Sequence, residues 1–226
     1  AVSLPVVEFI NCVVLGFTNF TASTEMLVQV FSGADLEYDS GWFLSTPPEP
    51  FADLGWGSEP LGVNHYSFAE QQVYGYHWLP EVYAGDSVVV SVRDPLHPAT
   101  YLEASRLVVG QYWQPEVTAD LGVTLGTSDS SRVTRLESGD LATALGPRSK
   151  SLSFSLGSLS PMEGQRLRAL LLAAGQKSSV FASLYPENQD SSKEQAFQLI
   201  GKLSKTSSLK LTHFNNSSSS IELEEL

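Results

Sequence analysis

Four histidines, His65, His77, His97 and His213, are the first places to look for acid–base or metal chemistry. They lie far apart, and none has a second ligand-type residue at metal-site spacing. There is no GxSxG nucleophile elbow and no Walker-type Gly-Lys-Ser/Thr loop, and Gly139 and Gly146 punctuate turns. Asp and Glu together number 25, so some pair must come close in any fold, and paired carboxylates say nothing about glycoside hydrolysis. Asp35, Glu37 and Asp39 alternate and would share one strand face. A hard cation such as calcium takes several such oxygens, but the glycine turn of an EF-hand loop is missing, and a solvated face is the better reading. His97, between prolines, reads as a surface turn residue. Trp42, Trp56, Trp78 and Trp113, with Tyr66, Tyr74, Tyr76 and Tyr83, have the flat faces and polar edges that stack on sugar rings. Trp42 and Trp56 are the glycan-contact candidates, Trp56 standing between two glycines in a loop. The stronger reading is that alternate aromatics fill a core and an interdomain seam. No residue is expected to be catalytic, no metal or cofactor is expected, and the chain reads as a non-enzyme.

The elements that would hold these residues are mostly strands. Met26–Phe31 alternates well, and Leu36–Leu44 follows. Val73–Leu79, Val88–Val92 and Tyr101–Gly110 complete a first set of short strands separated by turn chemistry, which predicts a β-sandwich. Gln111–Pro115 is the expected junction. Beyond it Val117, Ala119, Leu121, Val123 and Leu125 alternate as a strand with one buried face, and Thr127–Ser131 reads as a turn. Ser151–Gly157, Val180–Tyr185, Ala196–Leu203, Ser208–Phe214 and Ser220–Leu226 are the later strands. Glu187–Lys193 reads as a polar loop, and Asn215–Ser220 (NNSSSS) as a hairpin loop.

One stretch states its own structure. In Ser160–Gly175 (SPMEGQRLRALLLAAG) a capping serine is followed by Pro161 and, three residues on, by Glu163. That is a capping box. Leu167, Leu170, Leu171 and Ala174 recur at helical spacing, and Gly175 supplies a left-handed stop. The spacing predicts a helix over 161–174, its apolar stripe on a sheet and Arg166 and Arg168 pointing away as candidate oligomer-interface residues. The expected fold class is mainly β: a jelly-roll-like β-sandwich over 1–112, then a sandwich or split barrel with one flanking helix over 113–226.

The net charge of −12 disfavours direct binding to nucleic-acid phosphates. Cys12 is the one cysteine, so no intrachain disulfide or multi-cysteine zinc site can form. The opening residues lack the basic start of a secretory signal, no apolar run approaches a membrane span, and a soluble, assembled or cytosolic product is expected.

Asp39-Ser40-Gly41-Trp42, Trp56-Gly57, Val90–Asp94, Tyr101-Leu102-Glu103 and Arg106–Gly110 together resemble a module of tailed-phage virion proteins similar to galactose-binding-like jelly rolls. Pro115, Ser128–Arg135, Arg148–Leu152 before a strand, then the helix, Gly175 and a strand ending in Tyr185-Pro186 extend the likeness over nearly the whole chain. They resemble distal-tail or minor-tail proteins of siphophages. The resemblance implies a structural protein of the virion tail tip, forming a homo-oligomeric ring, hexameric or else trimeric. The ring would be built by residues 116–226 and would join the tail tube and tape measure proteins to the baseplate hub and fibres. It implies no specific nucleic-acid binding and no membrane. This order, jelly-roll-like part first, departs from many relatives and leaves a neighbouring baseplate component open. A carbohydrate-binding adhesion module and a glycan depolymerase are the readings from other classes. With a net charge of −12, a ring is expected to turn part of its acidic excess toward the channel, repelling DNA.

Overall fold

The computed structural model describes residues 1–46, 73–186, 191–205, 208–213 and 215–226. The chain is mainly β, with antiparallel sheets and a flanking helix. It divides into two compact units, one formed by 1–113 with 185–196, the other by 114–184 with 197–226.

The first unit is built on two long strands, β1 (Val2–Thr18) and β5 (Val73–Arg93). With β2 (Glu25–Ser32), β3 (Asp35–Asp39) and β6 (Ala104–Gly110) they form a sheet in the order β3-β2-β5-β1-β6, while β4 (Phe43–Leu44) pairs with β2. The sequence reading divided β5 into two strands; it is one. Its pairing with β1 slips three times, between Ser3 and Glu8, between Ile10 and Cys12 and between Leu15 and Thr18. The first slip leaves Pro5 unpaired in β1, and the second leaves Pro80 unpaired in β5. Proline has no amide hydrogen to give to a ladder, so both fall in bulges, which bend the strands without ending them. The core lies under this bent pair: Ile10, Val13, Leu15, Phe20, Met26, Val28, Val30, Leu79 and Val88 form one buried cluster. Met26, Val28 and Val30 alternate along β2, as a strand with one buried face requires. Each such side chain contributes about 1.5–3 kcal/mol through burial.

The second unit carries a sheet in the order β11-β12-β14-β10-β7, with β13 (Leu209–His213) added to β14. Its members are β7 (Thr124–Asp129), β10 (Arg148–Leu159), β11 (Val180–Ser183), β12 (Gln198–Leu203) and β14 (Asn216–Glu225). Two expectations are corrected here. Val117–Leu125 is not a half-buried strand: β7 begins only at Thr124, and Val117, Leu121 and Leu125 are exposed. Alternation had a strand's period, but among the described residues no second layer buries it. The serine run is not a hairpin loop either; it is the first half of β14, where Ser217 and Ser219 face inward ahead of Ile221 and Leu223. The small hydroxyls leave room for the helix α1 (Pro161–Ala174), because a Cβ on Gly164 would stand 2.6 Å from Ser217 Oγ.

The helix start is as the sequence reads. Glu163 N donates to Ser160 Oγ, and Ser160 N donates to Glu163 Oε2 at 2.8 Å. Gly175 follows with φ of 51°. The apolar stripe is only partly used: Gly164 and Leu167 are buried, Leu171 and Ala174 are half-buried, and Leu170 is exposed. The helix therefore seats on the sheet mainly by its first half.

Candidate functional site

One buried polar arrangement surrounds α2 (Ser191–Ala196), a six-residue helix that belongs to the first unit although it lies between β11 and β12 in sequence. On one side the first half of β5 pairs with β1; on the other, Gln195 takes the place of a strand. Its Oε1 accepts from Tyr74 N at 3.2 Å and its Nε2 donates to Tyr74 O at 2.7 Å, so a side-chain amide imitates a peptide group at the sheet edge. The neighbouring Glu194, 3% exposed, accepts from Tyr76 Oη at 2.5 Å and from Trp78 Nε1 at 3.2 Å. Tyr76 and Trp78, two of the aromatics read as sugar platforms, are thus engaged within the unit. Tyr74 is buried, and Trp78 meets Tyr112 edge-on at 5.0 Å.

A second cluster closes the loop before β2. Asp94 accepts from Thr21 Oγ1 at 2.6 Å, Thr24 Oγ1 at 2.9 Å, Ser23 Oγ at 3.1 Å and the Leu96 amide at 3.1 Å. Burial pushes its pKa up, but the bonds from Thr21, Thr24, the Leu96 amide and Ser23 outweigh that and hold the carboxyl below its usual value. Asp94→Ala should cost about 2–3 kcal/mol, read by chemical denaturation at neutral pH. Because the folded-state pKa is depressed, this contribution is full above the ordinary Asp range and is lost as pH falls through it. Wild type should therefore lose stability below about pH 4 more steeply than Asp94→Asn. Equal slopes would remove Asp94 from the account.

His97 is a correction. It is 9% exposed rather than a surface turn residue, its Nε2 donating to Asn19 O at 2.7 Å and its Nδ1 accepting from Ala99 N at 3.1 Å. His77 is bonded to Tyr38 Oη at 2.8 Å and lies against Phe43, and burial lowers its pKa. Burial pushes the Cys12 thiol up to about 12, which leaves it inert. Asp35, Glu37 and Asp39 are exposed but do not share one face: a bulge in the β2–β3 pairing sets Asp39 beside Gln29 and Asp35 beside Ser32, on opposite sides of the sheet. No group of three or more His, Cys, Asp or Glu among the described residues is placed to hold a metal ion.

Of the glycan candidates, Trp56 lies outside the described residues. Trp42 is 41% exposed, but the Arg93 guanidinium sits 4.1 Å from its ring centroid, held there by a second contact to Glu25. One face of Trp42 is already taken by a cation. Arg166 and Arg168 are exposed on α1, and neither forms an ion pair among the described residues. The solvent side of that helix is unusually apolar around them, with Met162 at 82% and Leu172 at 74% exposure.

The sequence reading missed the ribbon that projects beyond β7 and β10. β8 (Arg132–Arg135) and β9 (Leu141–Ala144) pair only with each other, and all eight residues are exposed. Val133, Leu136, Leu141 and Leu145 are uncovered. A two-stranded hairpin of this kind is marginal in water. The signal available was LESGDL, two leucines and two carboxylates around a tight Ser-Gly turn; for Glu194 and Gln195 there was none.

Charge is unevenly divided. The first unit holds sixteen carboxylates against three Lys and Arg, a net of −13, whereas the second holds nine against ten, a net of +1. The acidic excess therefore lies outside the half expected to build a ring, which removes the basis for an acidic channel. Neither a scan of protein-family models nor a search of curated proteins finds a match to this chain.

Proposed function

We propose that the chain is a non-enzymatic structural subunit of a tailed-phage tail tip. It assembles into a homo-oligomeric ring, hexameric or else trimeric, between the tail tube and tape measure proteins and the baseplate hub. The observation that carries this reading is the apolar surface left bare in the second unit, on the β8–β9 ribbon and the outer side of α1. Several large apolar side chains left exposed on one unit offer an association site, and a subunit with two different such surfaces associates head to tail, which closes into a ring when the rotation allows. The carbohydrate-binding reading has less behind it, because Arg93 covers one face of Trp42.

Light scattering on the purified chain tests the proposal. One species of about six chain masses is expected, with three as the smaller ring, each chain being 24.5 kDa. A monomer at every concentration up to ~100 μM, or a monomer that retains glycans on an array, would overturn it.

A further inference from the structure

We draw no further inference here: the strongest candidate, the seat of α2 on β5 at Tyr74, Tyr76 and Trp78, belongs to the site already described, and nothing in the structure shows an occupant for it other than this chain's own Glu194 and Gln195.

Discussion

Glu194→Ala is expected to destabilise the first unit by about 3 kcal/mol and to release α2 from β5. The carboxylate accepts from Tyr76 Oη and Trp78 Nε1 in a position 3% exposed to solvent, and a hydrogen bond to a charged acceptor contributes about 1.5–3 kcal/mol. Tyr76 and Trp78 are themselves half-buried, so part of the lost bonding is recovered from water, which keeps the expectation near the lower end of the sum. Glu194→Gln retains one acceptor oxygen and should cost about half as much. The second readout is local: the Tyr74 amide, which donates to Gln195 Oε1, should exchange its hydrogen faster in Glu194→Ala and fastest in Gln195→Ala. An unchanged denaturation midpoint together with an unchanged Tyr74 exchange rate would show that α2 is not held in this way.

In the second unit, Gly201→Ala should cost about 3 kcal/mol. Gly201 faces Val180 of β11 on one side and Glu225 of β14 on the other, at the middle of β11-β12-β14. A Cβ there would stand 2.2 Å from Glu224 O and 2.8 Å from Glu224 C, which are backbone atoms that cannot rotate away. Relief requires the β12–β14 ladder to open, and forced core expansion of this kind costs about 1–3 kcal/mol, at the upper end when backbone is the obstacle. Gly110→Ala in β6 is the matched control, since its Cβ would have nothing within 4 Å, and a change within about 0.5 kcal/mol is expected. Equal thermal and urea midpoints for the two variants would refute the packing argument.

Local rules read some of this fold well. The capping box at Ser160 and Glu163 depends only on side chains within one turn, and it stands where the sequence puts it. Met26, Val28 and Val30 alternate because β2 has one face on the core. The failures share a cause: they turn on what lies beside the element. Val117–Leu125 alternates like β2 but meets no second layer. The serines at 217 and 219 are polar by type yet point inward, Ser217 Oγ donating to Leu159 O, because a helix glycine comes close and leaves no space for anything larger. The residues of α2 read as loop because their order comes from Tyr74, Tyr76 and Trp78, more than a hundred positions earlier. Of the candidate residues, Arg166 and Arg168 were legible as exposed cations on a helix. The exposed ribbon was not legible, since it requires knowing that β8 and β9 join no larger sheet among the described residues.

The amide of Gln195 at the edge of β5 also sets a timetable for synthesis. The described strands of the first unit are complete when residue 113 has been made, but the two bonds between Gln195 and Tyr74 wait for residues up to 83 positions later. At about 5–20 residues per second that interval is ~4–17 s. Through it the nascent unit lacks α2, while the second unit is still being made. A gene fragment ending at Trp113 would lack α2 permanently, and its product should unfold at a lower denaturant concentration than the first unit of the full chain.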